Sequence, residues 1–482
     1  MKIRIDGGVV VGWSGAEHEI IPDGSVVIEN DTIHSVGTDK SQAVDKVIDA
    51  SGKIVSPGFV NLHVHSQLNV GDYLLADVTR KDYLTANWFV FGAPLKEKIT
   101  PPPAPAVAIG RKYALFSALK NGATTVLDPG GGPGALDEYV AIVGQQGGRV
   151  FFSPPYRSSD IFTDGQGRLY YEERSDKGRP GLERAVAFIK QYHGAHNGRI
   201  QGILNPAQAE TCDPALLKET AAAAKDLDVP IHLHAGGNAR EFLHILNTYR
   251  KPVVEYLAGT GILGPRTTLG HMAITGGHSR IDYPRGDELK LIAESGATVG
   301  HCPHKCAKMA FAMESFDQYL AAGVRIGLGT DTYPLDIIAE MRYASLISRL
   351  IDRDAAGARP ADCFNAATIG GADALGRKDL GRLAAGAKAD VVIINLRTTR
   401  YGPWRDPINA LVEYGSGADV ETVIVDGEIV IENGRSTRID EDELFAQANT
   451  GAQRAWDAWG SRDWNGRTTE DIIPPAFPTR RT

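Results

Sequence analysis

Residues 57–66 read Pro57-Gly58-Phe59-Val60-Asn61-Leu62-His63-Val64-His65-Ser66, and the fold is read outward from the histidine pair inside them. On a strand, residues two apart share a face, so His63 and His65 aim the same way, about 6–7 Å apart along the strand. Two imidazoles on one face can grip a divalent ion of the zinc type. They can equally end a buried strand as satisfied side chains. The downstream pattern separates the two readings. From Val60 onward, strand patterns at 122–128, 150–153, 200–204, 229–234, 267–270, 297–300 and 324–329 alternate with helical patterns at 107–120, 181–192, 214–224, 240–257, 287–294 and 313–322. Such alternation predicts a parallel sheet, and eight units predict a closed (β/α)8 TIM barrel, an α/β fold. Two further helices are predicted at 335–350 and 361–375.

The flanks read differently. Residues 1–56 carry short strands at 3–5, 9–11, 25–29, 32–36 and 46–48, separated by Gly and Asp/Asn turns. Strands return at 389–394, 420–425 and 428–432, with Val425-Asp426-Gly427-Glu428 as a hairpin turn. The simplest arrangement joins both ends, 1–56 and 381–439, into one small β-sandwich domain, with the barrel (57–380) inserted between them. Residues 440–482 form a C-terminal helix and arm. Trp456, Trp459 and Trp464 there are apolar anchors of the kind that mark interfaces, which predicts a homo-oligomer.

Composition narrows the function. The 482 residues include 43% hydrophobic and 23% charged side chains, as in a globular protein. A net charge of −8 without a basic run argues against nucleic acid. No apolar stretch reaches membrane-spanning length. The first residues, broken by Asp6 and glycines, read as a strand and not as a signal peptide. The four cysteines, Cys212, Cys302, Cys306 and Cys363, are too few for a disulfide framework and suit a reducing cytoplasm. A small molecule is the expected partner.

Barrel enzymes place their chemistry at the C-terminal ends of the strands. His63 and His65 end the first strand, His234 the fifth, His271 follows the sixth and Asp331 the eighth. Histidines and a carboxylate converging on one mouth make a divalent site; three His and one Asp suit zinc, with Fe, Mn or Co as alternatives. His232 lies one layer deeper. Tyr156 and Arg157, after the third strand, and His304 and Lys305, after the seventh, are candidate substrate contacts. For Arg157, pairing with a loop carboxylate is the competing reading.

These motifs resemble the amidohydrolase superfamily, in the branch of cytosine, guanine and adenosine-type deaminases and triazine hydrolases. The matching stretches are Ile48–Lys53 leading into PGFVNLHVH, Gly122–Asp128, the histidine strands, Leu328-Gly329-Thr330-Asp331, Asp379–Leu383 with Gly386–Asp390, and Val420–Gly427. The resemblance implies His63, His65, His234 and Asp331 as metal ligands and His271 beside the attacking water. Two-metal members bridge their ions with a lysine or glutamate on the fourth strand. Residues 200–204 (Ile-Gln-Gly-Ile-Leu) offer neither, which favours one ion per chain.

One departure concerns the proton donor. In the deaminase and triazine members a glutamate three residues after the fifth-strand histidine protonates the ring nitrogen; here that residue is Gly237. Glu241, His304 and Lys305 are the candidate substitutes. The expected activity is hydrolysis of a C–N bond by a metal-activated water, with His271 and Asp331 orienting and deprotonating it. Without the glutamate, an amide, urea or carbamate is the expected substrate. The alternative is deamination or dehalogenation of an N-heteroaromatic ring. A rival of another class is a non-catalytic scaffold.

Overall fold

The computed structural model describes residues 1–66, 104–130, 136–164, 168–463, 465–478 and 480. Eight parallel strands form the barrel: Phe59–Asn61, Ala123–Asp128, Arg149–Phe152, Ile200–Gly202, Ile231–Ala235, Thr267–His271, Thr298–His301 and Arg325–Leu328. They hydrogen-bond as two four-stranded arcs. Single parallel bridges close the ring, Leu204 to Ile231 on one side and Val64 to Asp331 on the other. Most strand residues are buried, as a sheet covered on both faces requires, with Val60, Leu127, Phe151, Leu233, Leu269, Val299 and Leu328 apolar and Asn61, Thr125, His232 and Thr268 polar among them.

The two chain ends build one sheet of nine strands. Val391–Asn395 from the late segment pairs antiparallel with Lys53–Pro57 from the early one. The sheet covers its own core of Ile3, Ile5, Val26, Ile28, Val55, Val391 and Ile393. The segments expected at 3–5 and 9–11 are one strand, Lys2–Trp13, carried through a register shift at Gly7, whose φ of 81° suits glycine. The hairpin at Val425–Glu428 is present, with Asp426 and Gly427 both at positive φ.

Several helices differ from expectation. The pattern at 240–257 is two helices, Ala239–Tyr249 and Val253–Ala258, because Arg250 turns left-handed (φ 58°) and Pro252 cannot continue the first. The stretch 361–375 is a helix with a wide turn at Ala366–Gly370. Helices Leu136–Gln146, Pro303–Lys308 and Pro407–Tyr414, and the hairpin Ser159–Thr163 with Leu169–Glu173, lie where no element was expected. Helix Glu441–Asp457 sits on helix Ala104–Lys120, where Ile109 meets Gly451. Trp459 is buried within its own chain and Trp456 is half-buried; Trp464 lies outside the described residues. All four cysteines are buried and unpaired with one another. Among the described residues, no helix is long and apolar enough to cross a membrane.

Candidate metal centre and active site

The seam that closes the barrel also assembles the site. Asp331 N donates to His63 O and His65 N to Asp331 O, both at 2.8 Å. Asn61 reinforces the seam, donating to Thr330 Oγ1 at 2.9 Å and accepting from Thr330 N at 3.1 Å. Gly329 is required there by close approach: a Cβ on it would lie 2.6 Å from His63 Cβ and 2.9 Å from His63 N. Asp331 (φ 63°) and His271 (φ 72°) both leave their strands in the left-handed region. Such conformations cost free energy and gather at working sites.

The side chains converge. His65 Nε2 lies 3.2 Å from His63 Nε2 and 3.0 Å from His234 Nε2. Asp331 Oδ1 is 3.5 Å from His65 Nε2 and 3.9 Å from His63 Nε2, and Asp331 Oδ2 is 3.8 Å from His271 Nε2. His234 Nδ1 donates to Ala207 O at 2.6 Å, so the neutral ring presents a bare lone pair at Nε2. His65 Nε2 has at most one proton to offer two facing nitrogens, so no protonation of neutral rings satisfies all three. A cation does, and nitrogen and carboxylate donors are what zinc takes. The ring of His63 is steadied from behind by His232 Nε2, 3.0 Å from its Nδ1.

Burial keeps these imidazoles neutral, the form in which an imidazole can hold a cation. It holds His63 and His232 well below the ordinary imidazole range, helped by the neighbouring rings, and lowers His234 to about 3. His271 is lowered by burial too, against the pull of Asp331. For Asp331, burial opposes charge, but His65, Lys305 and His271 outweigh it and hold the carboxyl below its usual value.

The outer candidates divide. Tyr156 is buried, and its hydroxyl bonds Thr220 Oγ1 at 3.0 Å on the surrounding helix Pro214–Leu227. Its hydroxyl thus faces the helix layer. Arg157 Nη2 pairs at 2.8 Å with Asp160, on the strand Ser159–Thr163 that follows. His304 stacks on Tyr343 (centroids 4.7 Å apart, 24° between planes). Lys305 is buried, with Nζ 3.4 Å from Thr332 Oγ1, one residue past Asp331. Two buried groups were not singled out from sequence. His301 ends the seventh strand and is lowered to about 3 by burial and by His271. Asp128 ends the second strand, accepts from Ser66 Oγ and from Tyr139 Oη (2.8 Å), and is pushed up to about 6 by burial. Their strand-end positions, the signal used for the other five, would have found both.

A family model described as "Amidohydrolase family" matches residues 54–430. The chain belongs to the amidohydrolase family. It is 30% identical over 434 residues to a 5'-deoxyadenosine deaminase of Methanothermobacter thermautotrophicus, covering 89% of this chain and 94% of that protein. It is 29% identical over 455 residues to a 5-methylthioadenosine/S-adenosylhomocysteine deaminase of Moorella thermoacetica, covering 92% and 98%. Among solved structures, an adenosine deaminase from Xanthomonas campestris with bound zinc superposes with a TM-score of 0.78 at 22% identity, covering 94% of this chain and 98% of that one. An atrazine chlorohydrolase from Arthrobacter aurescens, complexed with zinc and atraton, gives 0.77 at 24%, covering 93% and 100%. At those identities the structures establish the amidohydrolase barrel fold. Like its relatives, the chain is a hydrolase of this metal-dependent family, acting on C–N bonds.

Proposed function

We propose that this amidohydrolase is a hydrolytic deaminase of an aminated N-heteroaromatic ring of the adenosine type. The observation that carries the proposal is the convergence of three imidazole Nε2 atoms and the Asp331 carboxylate at the barrel seam. The relatives matched over about nine tenths of the chain deaminate 5'-deoxyadenosine or 5-methylthioadenosine and S-adenosylhomocysteine, which favours an aromatic amidine. Gly237, with no carboxyl to offer a ring, favours the second reading, an amide, urea or carbamate.

His63, His65, His234 and Asp331 would hold one divalent ion per chain, zinc in our reading with Fe, Mn or Co as alternatives. When bound, such an ion would lower the pKa of water to about 7 and so supply a nucleophile at neutral pH. His271 and Asp331 orient the attacking water from two sides. Asp331 takes one of its protons and delivers it to the leaving amine. Water adds its oxygen to the ring carbon, the C–N bond breaks, and ammonia leaves. The second water proton replaces one supplied to the ring nitrogen.

The test is metal analysis with alanine variants. We expect one ion per chain, and loss of both ion and turnover in His63→Ala, His65→Ala, His234→Ala and Asp331→Ala. A purified protein without stoichiometric metal would instead be the scaffold. A substrate panel of adenosine derivatives, aminated triazines, amides, ureas and carbamates separates the two substrate readings. We also propose a cytoplasmic homo-oligomer: helix Ile337–Asp352 leaves Leu346 and Leu350 exposed one turn apart, an apolar strip suited to a second copy. Native mass in solution tests this, and the mass of a single 51.8 kDa chain would refute it.

A further inference from the structure

Deaminating an aromatic amidine places negative charge on a ring nitrogen as water adds to the neighbouring carbon. With glycine at 237, that charge needs another donor. Sequence alone offers Glu241, His304 and Lys305, and the structure treats them differently.

Glu241 is committed to the backbone. Its Oε1 accepts from Gly236 N at 2.9 Å and its Oε2 from Gly237 N at 2.8 Å. Meanwhile Asn238 Oδ1 accepts from Glu241 N at 3.0 Å. This reciprocal arrangement at the start of helix Ala239–Tyr249 fixes a turn, as capping glutamates do. His304 lies flat on Tyr343, and its backbone N donates to Glu340 Oε2 at 3.0 Å, at the root of helix Pro303–Lys308. Lys305 is one position further along that helix. Its side chain is buried, its Nζ reaches Thr332 beside Asp331, and its charge is felt at both Asp331 and His271.

We propose that the Lys305 ammonium takes over the role of the missing glutamate, donating its N–H to the ring nitrogen of the substrate. Lys305 gives one proton to that nitrogen as the C–O bond forms. It regains one from the added hydroxyl as that group becomes the carbonyl. Asp331 carries the other water proton to the leaving amine. The sum is water consumed, with ammonia and a ring lactam released. An ammonium suits this task because it carries positive charge towards the site of developing negative charge in a water-poor pocket.

The proposal rests on the aromatic reading of the substrate, and the experiment separates their failures. The metal-loaded enzyme is assayed with 5'-methylthioadenosine, adenosine and melamine. Wild-type protein inactive on all three overturns both readings before any variant is made. With an active wild type, Lys305→Met is expected to lower kcat about 10²–10⁴-fold and KM only slightly, with metal content and melting temperature unchanged. Added methylammonium should restore part of the lost kcat. Lys305→Arg should keep KM but stay slow, because a guanidinium holds its proton far more tightly than an ammonium. Lys305→Met within tenfold of wild type, a loss that methylammonium leaves untouched, or Lys305→Arg at full kcat would each overturn the assignment. If Lys305→Met does not fold, the Lys305→Arg rate alone decides.

Discussion

At the scale of single residues, Gly237 is both a vacancy and a constraint. A Cβ placed there would sit 3.3 Å from His271 Cδ2 and 3.6 Å from Glu241 Oε2. The first distance is tight, and the second sets a new carboxylate against an existing one in a buried pocket. Burial and the neighbouring Glu210 already push Glu241 up to about 8. Gly237→Glu should therefore not raise kcat on the native substrate, and should lower stability by about 1–3 kcal/mol through overpacking. Steady-state kinetics and a denaturant midpoint check this; a variant faster than wild type would show that the pocket accepts the familiar acid after all.

Strand ends are legible in sequence because a barrel fixes what they face. His63, His65, His234, His271 and Asp331 were placed together by strand counting, and the structure brings their side chains within reach of one another. Residues beyond the hydrogen-bonded ring, to which Val64 and Asp331 still belong, obey no such rule. Tyr156 turned to the helix layer and His304 to Tyr343, since a loop's direction depends on partners distant in sequence.

At the scale of elements, His18 shows how the two parts of the fold are fastened. It opens strand His18–Glu29 and lies edge-on to Trp13 and Phe364, each with centroids 5.2 Å away. Thr368 Oγ1 donates to Phe364 O at 2.7 Å, so the His18 Nε2–H donates to Thr368 Oγ1, 3.2 Å away. Burial lowers His18 to about 4, so the folded protein keeps the ring neutral where the unfolded chain, near 6.5, protonates it. The unfolded state thus binds more protons between these values, and this stabilising contact is complete above about pH 6.5 and lost as pH falls towards 4. We expect His18→Gln to be less stable than wild type at pH 7.5, by up to about 3 kcal/mol, with the gap closing by pH 4.5. Urea midpoints at both pH values measure it; a gap independent of pH would contradict the assignment. The element errors have local causes as well. A single helix over 240–257 was suggested by continuous apolar periodicity, which does not register one left-handed residue at Arg250. The helix Pro407–Tyr414 is only two turns long, below the length at which periodicity separates helix from loop.

At the scale of the molecule, the β domain is fastened to the end of the barrel opposite the site. Arg149 opens the third strand, is buried, and pairs with Asp390 and, at 2.6 Å, with Asp426; Arg199, before the fourth strand, pairs with Asp426 at 3.3 Å. Removing one partner from such a cluster strands the others without water, at a cost of about 3–5 kcal/mol. Arg149→Met should lower the unfolding free energy by that much, read from a denaturant titration, while kcat per folded molecule and metal content stay at wild-type values. A stable variant, or one with altered kcat, would mean that the cluster is dispensable or that it reaches across the barrel.

The Asp331 seam has a consequence for how the protein is made. Its two edges, residues 63–65 and 331, stand far apart in sequence, and the backbone bonds between them are the ones that bring the carboxylate to the imidazoles. A ribosome has therefore released His63, His65, His234 and His271 well before Asp331 emerges. Until then the nascent chain presents imidazoles without their carboxylate and without a closed ring to aim them. The side chains proposed to hold the ion are all present only once the last barrel strand has been made, which on that proposal places metal uptake at the closing stage of synthesis.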